Sequence, residues 1–362
     1  MRILTIANLY PSKKNPEFGT FIKIIEDGIK DNLPGVKTDH VVIDNKPKNI
    51  VSKLFNYSRF YAGILSKLLF RKYDIVYVHM ISFAAPALRL ARLLTKPNLI
   101  LNLHGNDLIP TLTTHKWLKK ISSPLYDCCR NVIVPSDYFK NIVLDNYPNL
   151  PENRIIVSPS GGVQSSFFRK SNSVRKPTLQ IGFVSRIAKG KGWDTFIKAL
   201  DRLRKEGIDF HASIAGNGDM ENVMRDMVTE YGLKNYVSIL GALSHKELPD
   251  FFSKLDVFVF PSENKGESLG LVGIEAMAGS VPVIGSNIGG IPTYLKDSYN
   301  GFLFDPGNDL QLFNLLIKIR NLPDYQYISM KQNAYLSALG YESSAVINSL
   351  LDRLFPHADT IS

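Results

Sequence analysis

Cysteine is scarce in this chain. Of its 362 residues only Cys128 and Cys129 are cysteines, and they are adjacent, which suits neither a disulfide framework nor a zinc site. Long apolar runs are also missing, since none reaches the roughly 18 residues expected of a membrane-spanning helix. The first residues, MRILTIANLYP, lack the charged start, longer apolar core and cleavage site of a signal peptide. We therefore expect a cytoplasmic protein with reduced cysteines whose chain begins in a buried strand.

Acidic residues are under-represented in the first half. Residues 1–176 hold 12 aspartates and glutamates against 26 lysines and arginines, whereas residues 177–362 hold 21 against 17. The net charge of +10 therefore comes from the first half, which indicates that this half faces something acidic. Nucleic acid is one acidic partner for so basic a chain, but no nucleic-acid-binding motif is present, and we expect no nucleic-acid partner.

The chain length and the order of its apolar segments predict two α/β domains. A chain of 362 residues suits two domains, and in each half short apolar runs alternate with helical patterns, as in a parallel sheet. The expected strands of the first half are Ile3–Ala7, Val41–Ile43, Ile75–Val78, Leu99–Leu103 and Val132–Val134. Those of the second half are Gln180–Val184, His211–Ala215, Val237–Leu240, Val257–Phe260 and Pro282–Ile284. Residues 165–177, which are polar and basic, are the expected linker.

The segment from Pro261 to Gly290, PSENKGESLGLVGIEAMAGSVPVIGSNIGG, carries the most information. It follows an apolar run and holds two carboxylates, Glu267 and Glu275, around a glycine-bearing turn. The order strand, loop, helix places the loop at the carboxyl edge of a parallel sheet, where a helix N-terminus offers backbone N–H groups to an anion. The segment therefore indicates an extended phosphorylated ligand with one carboxylate near each end, such as a sugar nucleotide.

This segment resembles the retaining glycosyltransferases of family 4, whose motif is Glu, seven residues, Glu, then Ala-Met-Ala and a Gly-Gly turn. Here Glu267-SLGLVGI-Glu275 precedes Ala276-Met277-Ala278 and Gly289-Gly290. The resemblance implies the GT-B fold, in which two doubly wound, Rossmann-like parallel-sheet domains face each other across a cleft. It implies an acceptor-binding domain at 1–164, a nucleotide-sugar-binding domain at 178–340 and a final helix in 341–362 that packs on the first domain. Thr293 is a departure, because many relatives have Glu there.

A basic, glycine-rich loop opens the second domain, in Gly182-Phe-Val-Ser-Arg186 and Lys189-Gly-Lys191-Gly-Trp-Asp194. Arginine offers a bidentate fork to phosphate and lysine a compact point charge. The resemblance assigns the neutralisation of the donor diphosphate to Arg186 and Lys191, whereas we expect Lys189 to be solvated. Gly216-Asn-Gly218-Asp219 is similar to the family's glycine turn near the donor. It lacks the third glycine of a dinucleotide fingerprint, and a plain turn fits it equally well.

In the first half, Leu101-Asn-Leu-His104-Gly-Asn-Asp107 places a histidine and an aspartate just past a strand. Family 4 enzymes carry a histidine at the end of such a strand, close to the donor sugar. The resemblance therefore implies a catalytic role for His104, with Asp107 orienting it or touching the acceptor. Gly19, in Phe18-Gly19-Thr20, matches one of two glycines that let the backbone of many family members approach the donor phosphate.

The resemblance implies transfer of a sugar from a UDP- or GDP-sugar to an acceptor hydroxyl, with retention of the anomeric configuration. Arg186, Lys191 and the backbone N–H groups near Gly270, Leu271 and Val272 would stabilise the departing diphosphate. Glu267 would hold hydroxyls of the donor sugar, and Glu275 those of the ribose. No Asp-X-Asp pair occurs, so we expect no metal and no cofactor other than the donor itself.

Residues 46–72, KPKNIVSKLFNYSRFYAGILSKLLFRK, mix basic residues with large apolar ones. Such a helix either lies at an anionic membrane surface or packs on a core with a solvated basic face, and both interpretations stay open. Lys116-Trp117-Leu118-Lys119-Lys120 is a second candidate. Interface binding fits a peripheral enzyme at the inner face of the cytoplasmic membrane that extends a lipid-linked or polysaccharide acceptor, as in bacterial-type lipopolysaccharide synthesis.

Three other functions are compatible with these motifs. A transferase with a small soluble acceptor would ignore membranes. A non-catalytic sugar-nucleotide-binding protein would bind the donor without turnover. A sugar-nucleotide epimerase would use acid–base residues in place of Glu267 and Glu275 and would need no acceptor.

Overall fold

The structure is a computed structural model that describes residues 1–13, 18–45, 47, 49–105, 107–110 and 113–356. The chain forms two compact units: Met1–Gly162 together with Ser344–Ser362, and Val163–Ser343. Each unit contains one six-stranded sheet whose paired strands are parallel, with helices in the crossovers. The predicted α/β class, with two doubly wound sheets, is confirmed.

The strands are β1 Arg2–Ala7, β2 Lys37–Val42, β3 Ile75–His79, β4 Leu99–Asn102, β5 Asn131–Val134, β6 Ile155–Val157, β7 Leu179–Val184, β8 Phe210–Ala215, β9 Val237–Gly241, β10 Val257–Phe260, β11 Val283–Ser286 and β12 Gly301–Phe304. The α-helices are α1 Thr20–Asn32, α2 Ile50–Phe70, α3 Ile81–Ala91, α4 Thr113–Tyr126, α5 Asp137–Asn146, α6 Trp193–Lys205, α7 Glu221–Glu230, α8 Leu248–Phe252, α9 Leu271–Ala278, α10 Ile291–Tyr294, α11 Asp309–Asn321, α12 Asp324–Leu339 and α13 Ser343–Leu354. Two short 3₁₀ helices cover Glu152–Arg154 and Ser165–Phe167.

The strand order of the first sheet is β2-β1-β3-β4-β5-β6, and that of the second is β12-β11-β10-β7-β8-β9. The direction of winding reverses between β1 and β3 in the first sheet and between β7 and β10 in the second. Ligands of doubly wound sheets bind outside the carboxyl ends of the strands at such a reversal. The topology therefore selects one edge position in each unit as the place for a site.

The central strands of both sheets are buried on their two faces, which explains their nearly continuous apolar sequences. All residues of β3 and β10 are buried. The helices cover the sheets with one apolar face each, as α6 does through buried Phe196, Leu200 and Leu203. Within this framework the strand ends and the loops just past them can carry polar chemistry.

The segment 165–177 packs on the second unit along its length. Phe167 is buried, the Arg169 backbone N–H donates to the Ala278 carbonyl, and the Lys331 ammonium donates to the Ser173 carbonyl and hydroxyl. The backbone and hydroxyl groups of this segment, which the sequence identifies as the linker, find partners on α9 and α12. The last helix, α13, packs on the first sheet through Ile347, Leu350, Leu351 and Leu354.

Helix α2 settles how residues 50–70 divide between core and surface. Phe60, Ile64 and Leu68, spaced four residues apart, are buried on one face of the helix. At its N-terminal end Ile50, Val51, Leu54 and Phe55 are each more than 60% exposed. The helix therefore serves the core with its later turns and leaves its first turns uncovered by the described residues. No described helix is both long and apolar enough to cross a bilayer.

Candidate functional site

In the second unit, the loops that follow β7 and β10 meet at the reversal of the sheet. The Glu263 backbone N–H donates to the Gly190 carbonyl at 3.0 Å, which ties the two loops together. Gly192, with φ 68°, permits this approach, because a Cβ there would lie 1.8 Å from the Pro261 carbonyl oxygen. The loop that carries Lys191 is thus held against the loop that carries Glu267.

Lys191 and Glu267 form an ion pair at this place. The Lys191 Nζ lies 2.8 Å from the Glu267 Oε2, and the Ser262 hydroxyl donates to the same oxygen at 2.8 Å. Ser262 is fully buried and holds the carboxylate in place. Two residues that the sequence assigns to different parts of one ligand are therefore adjacent, and Ser262 joins them.

Arg186 is placed differently. Its guanidinium lies 3.6 Å from the Asp219 carboxylate, and both side chains are about 70% exposed. An exposed pair of this kind is worth about 1 kcal/mol or less, so Arg186 can leave Asp219 for a stronger anion. Lys189 is exposed, in agreement with its expected solvation.

Glycines of the second unit shape the same edge. Gly270 has φ 70° and precedes α9, and a Cβ there would lie 2.2 Å from the Phe260 ring. Only glycine fits, so the loop after β10 can pack against the end of that strand as it enters α9, and the first backbone N–H groups of that helix, from Leu271 and Val272, lie at the sheet edge. Gly216 and Gly218 pack instead against the Ser185 and Ile187 carbonyls, where a Cβ would lie 1.8 and 2.1 Å from oxygen. These two glycines allow the β7 and β8 loops to pack backbone to backbone.

Glu275 lies one turn further along α9 and is buried. The His245 Nε2 is 3.1 Å from its Oε1, and the His245 ring packs on Phe167 with centroids 4.8 Å apart. His245 is absent from the sequence prediction because it lies 30 residues away in a loop with no motif of its own. His245 is the side-chain partner of Glu275, as Lys191 is the ion-pair partner of Glu267.

In the first unit, the corresponding edge gathers two histidines. His79 ends β3 and His104 follows β4, and the His79 Nδ1 lies 3.1 Å from the His104 Nε2. Their rings are nearly parallel, at 13°, with centroids 5.4 Å apart. Burial lowers the pKa of His104 to about 3, and burial together with the neighbouring His104 lowers the pKa of His79. Both rings are therefore neutral near pH 7, and His79 is a site residue that sequence patterns did not reveal.

Asp107 is buried behind this pair. Its Oδ2 accepts from the His104 backbone N–H at 3.3 Å, and its Oδ1 accepts from the Ser82 backbone N–H at 3.2 Å. Burial raises its pKa to about 6, although both hydrogen bonds oppose that rise. Asp107 thus fixes the backbone of His104.

Gly19 caps α1 with φ 82°, and a Cβ there would lie 2.4 Å from the Leu9 side chain. Two residues later, the Phe21 ring packs on the His104 ring with centroids 4.5 Å apart. The turn at Gly19 therefore brings the start of α1 to the histidine pair. Among the described residues, no group of three or more histidine, cysteine, aspartate or glutamate side chains is arranged to hold a metal ion.

Comparison with known families covers both units. The model of glycosyl transferases group 1 matches residues 164–337, and that of Glycosyltransferase Family 4 matches residues 23–161. Together these matches span most of the chain.

Among curated relatives, an uncharacterized glycosyltransferase of Methanocaldococcus jannaschii is 31% identical over 194 residues, which cover 51% of this chain and 48% of that protein. A GDP-mannose-dependent alpha-(1-6)-phosphatidylinositol monomannoside mannosyltransferase of Mycobacterium tuberculosis is 32% identical over 152 residues, 41% of this chain and 39% of that protein. The chain thus matches about half or less of the length of these relatives.

Among solved structures, Anabaena HepE in complex with UDP and glucose superposes with a TM-score of 0.75 at 18% identity, over 98% of this chain and 99% of that one. This similarity shows the fold, and with the two parallel sheets it confirms the GT-B architecture that the motifs imply.

Proposed function

The chain belongs to the glycosyltransferases of group 1 and family 4, and on that premise we propose a retaining, metal-independent transferase. It moves a hexosyl or N-acetylhexosaminyl group from a UDP- or GDP-sugar to a hydroxyl of a lipid-linked or polysaccharide acceptor. The observation that carries the proposal is the Lys191–Glu267 ion pair at the sheet reversal of the second unit. A cation and a carboxylate side by side suit a ligand whose phosphate and sugar hydroxyls are adjacent.

The second unit supplies the donor site. Lys191 and Arg186 neutralise the diphosphate, assisted by the first N–H groups of α9. Glu267 accepts hydrogen bonds from hydroxyls of the donor sugar, and Glu275, held by His245, accepts from those of the ribose. The UDP in the HepE structure and the GDP-mannose in the name of the mycobacterial relative support both bases as candidates.

The reaction breaks the bond between the anomeric carbon and the diphosphate oxygen and forms one to the acceptor oxygen on the same face. The acceptor proton passes to the departing diphosphate. The pre-placed cations and N–H groups stabilise the charge that develops on that oxygen, which is the largest contribution such a site makes. In this proposal the basic side chains take the place of a metal ion.

The first unit supplies the acceptor side. Asn45, Asn56 and Arg59, with the end of β2, line a cavity of about 330 Å³ at the carboxyl edge of the sheet. Amide and guanidinium groups suit the hydroxyls and phosphate of a sugar attached through phosphate. Phe55, with its exposed ring, lies one helical turn from Arg59. The cavity therefore adjoins the uncovered apolar end of α2.

That end of α2 forms, with the start of α4, what we call the apolar-basic face. It consists of Ile50, Val51, Leu54, Phe55 and Trp117, all more than 60% exposed, and of Lys53, Lys116 and Lys120. The two helices meet at Phe83 of α3, whose ring centroid lies 6.2 Å from that of Tyr57 on α2 and 5.3 Å from that of His115 on α4. Apolar residues interleaved with lysines suit an anionic membrane surface, so we place the enzyme peripherally at the inner face of the cytoplasmic membrane.

The test is thermal unfolding of the protein with UDP, GDP and ADP and with their sugar conjugates, followed by a transfer assay. A ligand at 100 times its Kd adds about 2.7 kcal/mol to the free energy of unfolding. We expect one base to raise the melting temperature, and the rise to vanish in Glu275→Ala and Arg186→Ala. Shifts without transfer to lipid-linked or soluble acceptors would indicate a non-catalytic binder, and no shift with any nucleotide would contradict the proposal.

A further inference from the structure

The hydrogen bond between His79 and His104 links the protonation of one ring to that of the other. A neutral imidazole carries one N–H and one bare nitrogen. The contact of 3.1 Å between the His79 Nδ1 and the His104 Nε2 requires one proton between the two nitrogens. If His79 donates, the other nitrogen of His104, Nδ1, carries a proton; if His104 donates, its Nδ1 is bare. The tautomer of His104 is thus tied to that of His79.

The surroundings keep this pair in one geometry. His79 is buried, and its ring also packs on Tyr77 with centroids 4.9 Å apart. The His104 ring lies against Phe21, and its backbone is held by Asp107. A ring packed in this way cannot rotate to find another partner without leaving its hydrogen bond.

We propose that His79 is a positioning residue that sets the tautomer and the orientation of His104, so that the His104 Nδ1 presents a fixed hydrogen-bonding character to the substrate. The inference rests on the proposed function, because it takes up the catalytic role that the resemblance implies for His104. His79 itself needs no contact with substrate: it acts through the bond to the His104 Nε2.

Kinetics of three His79 variants test the proposal. In His79→Asn the amide reaches the place of Nδ1, whereas in His79→Gln it reaches the place of Nε2, and His79→Leu removes both groups. We expect His79→Leu and His79→Gln to lose about tenfold in kcat, the value of one hydrogen bond, with the donor KM within about twofold. His79→Asn should retain at least about a third of kcat. Tyr77→Phe is the matched control, since it removes a buried hydroxyl from the same strand and leaves the histidine pair intact.

Two results would overturn the inference while leaving the proposed function in place: an active wild type with a fully active His79→Leu, or an Asn variant as impaired as the Leu variant. A wild type without transferase activity would instead count against the proposed function.

Nuclear magnetic resonance of ¹⁵N-histidine-labelled wild-type protein gives a readout that needs neither activity nor a variant of His79. We expect one tautomer for His104 and a scalar coupling across the N–H···N bond to His79, with the resonances assigned by their loss in His104→Gln. In His79→Leu the His104 nitrogens should shift to values averaged over two tautomers. Absence of the coupling in the wild type, with mixed tautomers of His104, would contradict the proposal whatever the kinetics show.

Discussion

The Lys191 ammonium lies 2.8 Å from the Glu267 carboxylate, although 76 residues separate them in the chain. The sheet reversal brings their loops together, and the Ser262 hydroxyl completes the arrangement. In the proposed function, the donor diphosphate takes the place of Glu267 as the anionic partner of Lys191.

Lys191→Met should weaken binding of the nucleoside diphosphate about tenfold to a hundredfold. A hydrogen bond to a charged group contributes about 1.5–3 kcal/mol, and the variant also leaves the Glu267 carboxylate near the phosphates without its cation. Calorimetric titration of the nucleotide measures this loss. Lys189→Met, an exposed lysine of the same loop, is the matched control and should bind within about twofold of wild type. Equal losses in both variants would indicate general electrostatics and no specific contact of Lys191.

Glu267→Gln should leave the affinity for the nucleoside diphosphate nearly unchanged and lower kcat/KM for transfer about a hundredfold. The amide keeps the shape of the side chain but loses the charge that orients the sugar hydroxyls. Comparison of nucleotide titration with transfer rates checks this split. If nucleotide binding fell as strongly as transfer, Glu267 would have to be placed at the diphosphate or in the fold itself.

Gly192→Ala should destabilise the second unit far more than Gly190→Ala. Both glycines have φ near 70–80°, so each alanine adds about 1 kcal/mol of backbone strain. A Cβ at Gly192 also meets the Pro261 carbonyl, whereas nothing lies within 4 Å of one at Gly190. We expect losses of about 3 and 1 kcal/mol, respectively, in urea unfolding. Similar losses in both variants would show that the loops after β7 and β10 are not packed as described.

Acid should destabilise the first unit through its histidines. The pKa of His104 is about 3 in the folded chain against about 6.5 unfolded, so its contribution is complete above pH 6.5 and is lost as the pH falls. Asp107, with a pKa of about 6, acts oppositely, because its contribution is lost as the pH rises through 4 to 6. Lowering the pH from 7 to 4.5 therefore reduces the free energy of unfolding by about 3 kcal/mol through His104 and increases it by about 2 kcal/mol through Asp107. The pKa of His79 is lowered as well, so His79 adds to the effect of His104 and the net result of acidification is a loss of stability.

Urea unfolding at pH 7 and 4.5 tests this balance. Relative to the wild type, His104→Gln should lose less stability on acidification, and Asp107→Asn should lose more. A wild type that is more stable at pH 4.5 than at pH 7 would show that the histidines are not held neutral.

Leu54→Ser with Phe55→Ser should reduce binding to vesicles that contain anionic lipid by about tenfold or more. Burying one large apolar side chain contributes about 1.5–3 kcal/mol, so partial insertion of two accounts for such a loss. Co-sedimentation with vesicles measures it. Leu310→Ser with Tyr325→Ser removes two apolar side chains of the second unit that are 50% and 71% exposed, and should leave binding unchanged. A wild type that ignores the vesicles would favour a soluble acceptor.

The strands were predictable where an apolar run was long and bounded by turns, as in β1, β7 and β10. Two strands were missed: β6 has three residues, and β12 follows a turn with no helical pattern before it. Likewise Glu267 and Glu275 stood out through their spacing, whereas Ser262, His79 and His245 belong to no pattern. Each of them matters through one contact with a residue elsewhere in the chain: Ser262 contacts Glu267, 5 residues away, His79 contacts His104, 25 residues away, and His245 contacts Glu275, 30 residues away.

The sequence by itself determined the fold class, the family and the loops that carry polar chemistry, because apolar periodicity and motif spacing are local properties of the chain. Only the tertiary structure decided which of these side chains contact each other. Lys191 and Ser262 both contact one oxygen of Glu267, His245 contacts Glu275, and His79 contacts the ring of His104. The tertiary structure also decided that α2 is buried in its later turns and exposed at its start. These outcomes depend on which strands become neighbours in a sheet, and that order arises from packing distant segments together, which no local pattern encodes.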